Sequence, residues 1–194
     1  MDMKYRITSE TKVVDNVTLR RIECVTAFGD VECGDKGGWI ESYNNLSQED
    51  NAWVYGNATV YGNATVRNNA TVGGNATVYG NAEVGGNATV GGNATVYGDA
   101  WVYGDAEVYG DAWVCGDADY IVFKNWWSSG RYFTWTRSNN KWKVGCFFGS
   151  GEELIAKAYK DSKKSGREYE RVVKYVESIL KEDNDNGNRN GCAH

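Results

Sequence analysis

Asn51-Ala52-Trp53-Val54-Tyr55-Gly56, followed by Asn57-Ala58-Thr59-Val60-Tyr61-Gly62, opens a run of twelve hexads of the form Asn/Asp-Ala-x-Val-x-Gly that continues to Val122. Alanine recurs at every sixth position from Ala52 to Ala118, and valine from Val54 to Val114. A period of six is neither helical nor plain strand alternation. Within a hexad Ala and Val stand two apart, so they point to one side of a short strand while the residues flanking Val point to the other. The Gly-Asn or Gly-Asp pair that follows suits a sharp corner, because these residues enter left-handed backbone conformations at least cost. Three flat sides and three corners close a triangular coil of eighteen residues. Twelve hexads give four coils of parallel β-helix, a prism about 20 Å long at the usual strand spacing, with an interior of Ala and Val alone.

The flanks differ in texture. Residues 1–50 lack the clean repeat but alternate like a strand over Val17–Ala27 and are turn-rich over Gly29–Gly38. Ile40 and Leu46 stand six apart, as in an irregular first coil that slips by two residues before Val54. This segment reads as an N-terminal β cap, which a solenoid end requires because it exposes unpaired backbone and apolar interior. After Asp119 the period stops. Tyr120–Lys124, Arg131–Arg137 and Lys141–Phe148 read as three strands joined at Ser128-Ser129-Gly130 and Ser138-Asn139-Asn140. Two helices follow, opened by the capping-box pairs Ser150/Glu153 and Ser165/Glu168. Tyr169, Val172, Val173, Val176, Ile179 and Leu180 lie on one face of the second helix. The chain thus divides into a cap (1–50), a repeat (51–122), a small α+β domain (120–181) and a frayed tail (182–194).

The Val-x-Gly-Asn-Ala-Thr runs at Val54–Thr59 and Val72–Thr77 resemble the hexapeptide-repeat superfamily, and the resemblance covers residues 51–122. It implies a mainly β, left-handed parallel β-helix that assembles as a homotrimer. Superfamily members include acyltransferases and metal-dependent carbonic anhydrases. With Gly37-Gly38-Trp39-Ile40 and its Trp-rich C-terminal domain, the chain also looks like uncharacterised hexapeptide proteins of gut bacteria and their phages. The scattered cysteines and polar first residues predict a reduced, cytoplasmic home, that of the host cell if the chain is phage-encoded.

Residue types argue against inherited catalysis. Acyltransferases of this superfamily use a histidine as general base and the carbonic anhydrases bind metal through histidines, since imidazole titrates near neutrality and ligates metal well. Here the one histidine is His194, the last residue. The five cysteines, Cys24, Cys33, Cys115, Cys146 and Cys192, are scattered without Cys-x-x-Cys spacing, so neither a zinc site nor a disulfide framework is expected. The doubled glycines Gly85-Gly86 and Gly91-Gly92 fall inside the repeat and lack the ending of a phosphate loop. No cofactor is implied. Met1–Glu10 is polar and no apolar run is long enough to span a membrane.

Charge separates the segments. Residues 1–50 carry six basic and ten acidic groups, residues 51–118 one and six, residues 119–181 thirteen and seven. An acidic rod therefore bears a basic head, a dipole that steers anions toward the head. Pairing the second and third head strands across a three-residue turn sets Arg137 opposite Lys141, Trp135 opposite Lys143 and Phe133 opposite Gly145. Arg131, Trp135, Arg137, Lys141 and Lys143 then share one face, while Tyr132, Thr134, Thr136, Trp142, Val144 and Cys146 bed the helices. Cations around an aromatic plane suit a phosphate-bearing, base-bearing ligand. An ordinary wet sheet face explains the same pattern without a ligand. Trp126 and Trp127, consecutive in a turn, cannot both point inward.

On the rod, residues one coil apart stack. Thr59, Thr77, Thr95 and Trp113 form one column and Tyr61, Tyr79, Tyr97 and Cys115 the next, an apolar-aromatic face expected to pack three prisms together. Another side carries bare Gly73 and Gly91, where a neighbour or ligand would approach closely. These features predict a non-catalytic trimeric binding protein that sequesters an anionic, nucleotide-like signal or a host protein, without sequence-specific nucleic-acid recognition. An acyltransferase-like enzyme and a structural scaffold are the alternatives.

Overall fold

A computed structural model describes residues 3–185. The expected tail beyond residue 185, with Cys192 and His194, lies outside the described residues. The repeat forms a parallel β-solenoid with one two-residue strand per hexad, from β4 (Trp53–Val54) to β14 (Trp113–Val114). Register is eighteen residues throughout: Thr59 pairs with Thr77, Thr77 with Thr95, and Thr95 with Trp113. Every inward Ala and Val from Ala52 to Val114 is fully buried. Each buried Val contributes about 1.5–3 kcal/mol, and Ala leaves room for three strands to meet with almost no side-chain entropy to lose.

Corners follow the expected chemistry. Gly74 adopts φ 68°, and a Cβ there would stand 2.8 Å from the Gly92 carbonyl of the next coil. Where the repeat substitutes Asn68 for glycine, that residue takes φ 59°, the left-handed region asparagine tolerates best. The corner asparagines also form ladders. Asn51 donates its side-chain amide to Asn69, Asn69 to Asn87, and Asn87 to Asp105 at 3.1 Å. The parallel ladders run from Asn57 through Asn75 and Asn93 to Asp111, and from Asn63 through Asn81 to Asp99. An amide inside a ladder must both donate and accept, whereas the last member only accepts. This accounts for the switch from Asn to Asp in the final hexads.

The solenoid is polar along its axis, since N–H groups bond upward to the following coil, as Thr59 N–H does to Ala76 O at 2.9 Å. The N-terminal end therefore presents orphan carbonyls and needs donors. Lys4, buried, donates its ammonium to Glu49 O, Asp50 O and Ala52 O, Tyr5 its hydroxyl to Leu46 O at 2.6 Å, and Asn45 its amide to Gly62 O and Ala64 O. These belong to an N-terminal hairpin, β1 (Tyr5–Val14) and β2 (Val17–Cys24), and to a first coil opened by β3 (Lys36–Ile40). Ile40 pairs with Val60 and Leu46 bridges to Val66, so this coil joins the next at a spacing of twenty residues (60 against 40, 66 against 46). β1 was not legible, because its residues are mostly polar.

The head holds four antiparallel strands instead of three: β15 (Tyr120–Lys124), β16 (Tyr132–Thr136), β17 (Lys141–Val144) and β18 (Phe147–Gly149). Gly145, at φ 55°, folds the expected third strand back on itself. The twelfth hexad is correspondingly not a coil side, since Asp117–Asp119 forms a 3-10 turn and β15 joins the head sheet. Helix α1 (Gly151–Asp161) opens on the Ser150/Glu153 capping box as expected. Helix α2 (Lys163–Asp185) starts three residues earlier than the Ser165/Glu168 pattern predicts: Ser162 Oγ accepts the Ser165 N–H, and Glu168 pairs with Arg171. It also runs through the first residues of the expected tail. Trp127, Phe133, Trp135, Trp142, Leu154, Tyr169, Val173 and Val176 form the head core.

A candidate binding cleft between head and solenoid

The β16–β17 register differs from expectation by one residue. Thr134 pairs with Lys143, Trp135 with Trp142 and Thr136 with Lys141. The loop is four residues long because Arg137 leaves the ladder to donate its N–H to Asp119 O at 2.8 Å. Asn140 adopts φ 48° and accepts Trp135 Nε1–H at 2.9 Å. A one-residue slip exchanges faces. Trp135 consequently lies fully buried in the head core with Trp142, while Lys141 and Lys143 share the opposite face with Thr134 and Thr136. The expected constellation of Arg131, Trp135, Arg137, Lys141 and Lys143 on one open face is not formed.

The Lys143 face meets the C-terminal end of the rod, where orphan N–H groups need acceptors. Thr134 Oγ1 accepts the Glu107 N–H at 2.8 Å, Ser138 Oγ the Trp113 N–H at 2.7 Å, and Asp119 Oδ2 the Cys115 and Gly116 N–H groups at 2.8 and 3.0 Å. Tyr120 accepts the Tyr103 N–H and donates to Trp101 O. Lys143 pairs with Glu107 at 3.0 Å and stands 4.9 Å from the Tyr109 ring centre. Arg137 joins the Asp183 carboxylate of α2 at 2.9 Å and the Ala118 carbonyl at 3.1 Å. The basic sheet face and the acidic rod thus satisfy each other, and the head docks on its own solenoid.

One cation stays beside the joint. Arg131, exposed, lines a cleft of about 300 Å³ with Tyr132 and Gly145 from the head and Asn87, Thr89, Asp105 and Glu107 from the rod. Its Nη1 lies 3.5 Å from the place a Gly145 Cβ would take, an ordinary contact distance, so the two residues form one wall. Tyr132 is partly exposed and carries the Lys124 ammonium 5.2 Å from its ring centre. The cleft therefore offers a guanidinium and an aromatic ring on one wall, and carboxylate, amide and hydroxyl groups on the other. Such a lining is chemically complementary to a small molecule that is anionic at one end and rich in hydrogen-bond donors at the other.

The tryptophan pair divides as its sequence requires. Trp127 is buried edge-on against Phe133 and Tyr169, while Trp126 is 72% exposed. Asn125 holds this loop, donating to Tyr169 Oη and accepting from Ser128. On the rod, Tyr61, Tyr79 and Tyr97 stack at 5.3 Å and Trp113 caps the column edge-on. The lower end of that face is covered: Thr59 and Tyr61 are buried, and Tyr61 donates its hydroxyl to Asp15 at the hairpin tip, at 2.7 Å. Thr77, Tyr79, Thr95, Tyr97 and Trp113 remain on its upper part. The space over Gly91 is not open to a ligand, because the Tyr109 ring would stand 2.6 Å from a Cβ there, and Tyr103 lies likewise over Gly85.

Among the described residues no group of His, Cys, Asp and Glu is arranged to hold a metal ion, and no helix is long and apolar enough to cross a membrane. Cys24, Cys33 and Cys146 carry free thiols, whereas Cys115 is disulfide-bonded, which departs from the expected reduced set. The docking residues Thr134, Ser138 and Asp119 escaped the sequence reading. A hydroxyl at alternate positions of a strand is the signal that marked one of them.

Comparison with known proteins agrees with the geometry. The YdcK β-solenoid repeat family model matches residues 52–68, 60–74 and 88–104. The chain is 38% identical over 60 residues to the uncharacterized acetyltransferase YdcK of Escherichia coli, a stretch covering 27% of this chain and 18% of that protein. In its hexad period, its three-sided coil and these matches, the repeat is similar to hexapeptide-repeat β-solenoid proteins.

Proposed function

We propose that this is a non-catalytic binding protein that sequesters a small anionic, nucleotide-like ligand in the cleft between its head and its solenoid. The observation that carries the reading is the pairing of the Arg131 guanidinium and Tyr132 ring with Asp105 and Asn87 across one cavity. Arginine grips phosphate bidentately, the ring receives a base or sugar face, and the rod wall accepts donors. The described residues include no imidazole for acyl transfer, which favours binding over the acyltransferase alternative, although the partial relative bears an acetyltransferase name. The upper part of the Tyr79, Tyr97 and Trp113 face supports homotrimeric assembly, which would present three such clefts.

A panel of nucleoside mono-, di- and cyclic phosphates, read by thermal shift and calorimetry, tests the proposal. At least one raises the melting temperature of the protein, and Arg131→Ala abolishes that shift without lowering the melting temperature of the free protein. A panel without effect, with a host protein recovered by pulldown instead, would overturn the small-ligand reading. Light scattering tests the trimer.

A further inference from the structure

The densest positive charge on the molecule lies away from the cleft, at the elbow between α1 and α2. Lys157, Lys160, Lys163, Lys164 and Arg167 fall within eleven residues, all exposed, with Asp161 as the acidic residue among them. None of the five makes an ion pair among the described residues. Farther along α2 the pattern is the opposite: Arg171 pairs with Glu168 at 2.7 Å and Lys174 with Glu170 at 2.6 Å. Arg171 and Lys174 are thus neutralised within the helix, whereas the five elbow cations are not.

Two of the elbow charges also oppose their own helix. α1 opens on Glu152 and Glu153, which suit the positive end of its dipole, whereas α2 opens on Lys163 and Lys164 with no acid in its first turn. Cations at that end weaken a helix. Lys160 suits the last turn of α1, but helix stability gives no reason for Lys163 and Lys164; an anionic partner does.

Tyr159 narrows the partner's class. Its ring is 41% exposed amid these cations. It is fixed in place, since it lies against Gly166, where a Cβ would stand 2.3 Å from the ring, and its hydroxyl donates to Glu170 at 2.7 Å. Glycine inside a helix destabilises it, and here it admits the ring. Cations spaced along a surface around a held aromatic plane match a phosphate backbone with unpaired bases, because phosphates neutralise the charges and an exposed base stacks on the ring. A duplex hides its base faces, and an acidic peptide has no use for the plane.

We infer that the α1–α2 elbow is a binding surface for single-stranded nucleic acid, recognised through backbone phosphates and stacking on Tyr159, independently of the Arg131 cleft. The test is fluorescence anisotropy of the full chain with a labelled sixteen-nucleotide oligothymidine, a duplex of equal length and a poly-glutamate peptide, across a salt series. The single strand is expected to bind best, with a log–log salt slope of about −3.5 if five cations take part. Lys160→Gln with Lys164→Gln should weaken binding at least tenfold and flatten the slope, at unchanged melting temperature. Tyr159→Ala should weaken it about five- to tenfold with the slope kept, and Tyr159→Phe should retain binding. Arg131→Ala should leave strand binding intact, which separates this surface from the cleft. Absence of binding at low salt, indifference to the lysine substitutions, or equal affinity for duplex or poly-glutamate would each overturn the inference.

Discussion

The Glu107 backbone N–H donates to Thr134 Oγ1 at 2.8 Å, whereas one coil below the Thr89 N–H donates to the Ala106 carbonyl, also at 2.8 Å. A head side chain thus takes the place that another coil's backbone would fill. The consequence is that the solenoid ends where its acceptors change from carbonyls to hydroxyls and carboxylates, and that the head's position is set by backbone chemistry as much as by charge.

Removing that hydroxyl leaves a buried donor unsatisfied. Thr134→Val should lower stability by about 1–3 kcal/mol, seen as a reduced urea midpoint with unchanged m-value, while Thr134→Ser should stay near the parent. Equal stability of the Val and Ser variants would show that the amide finds another acceptor.

Gly85 has ordinary backbone geometry, so its role is spatial. A Cβ there would stand 2.4 Å from the Tyr103 ring, whose hydroxyl accepts from Arg67 Nε at 3.0 Å. Gly85→Ala should destabilise by about 1–3 kcal/mol through overpacking, and most of that loss should vanish in a Tyr103→Ala background. A double-mutant cycle in urea measures the coupling.

Direction in the corner ladders gives an asymmetric expectation. Asn87 accepts from Asn69 and donates to Asp105. Asn87→Asp removes the donated bond and sets two carboxylates against each other, so stability should fall by about 1 kcal/mol at low ionic strength and recover partly in salt. Asp105→Asn keeps an acceptor in place and should change stability by less than about 0.5 kcal/mol.

Burial pushes the Lys4 ammonium down to about 8, against the pull of Asp50. Between pH 8 and the ordinary lysine range the unfolded chain holds a proton that the folded chain has released. Stability should therefore rise with pH across that window. Above pH 10 the trend reverses, because burial and the Asp15 hydrogen bond raise the Tyr61 phenol, and the unfolded chain ionises first. Urea midpoints of the parent and Lys4→Met between pH 7 and 10 isolate the lysine: the rise should be absent in the variant.

The sequence made the solenoid legible because one constraint, eighteen residues per coil, repeats until noise averages out. Ala52 to Val114 needed no context beyond their spacing, and Ile40 and Leu46 showed the irregular coil by the same rule. The head had no such redundancy. One residue added to the Ser138–Asn140 turn exchanged the faces of Trp135 and Lys143, and with them the expected site. What decided the register was the Arg137 N–H bond to Asp119, a contact between segments that local alternation does not encode. Arg131 and Trp126 kept their exposure because both lie in the loop before β16, outside the strand whose register moved.

Amide hydrogen exchange at Glu107 and Trp113 tests the docked head most directly, since both N–H groups donate to head side chains. Both amides should be protected in the intact protein, with Thr134→Val speeding exchange at Glu107 and Ser138→Ala speeding it at Trp113. Exchange at free-peptide rates in the unmodified protein would mean that the head does not sit on the rod end, and the cleft at Arg131 would go with it.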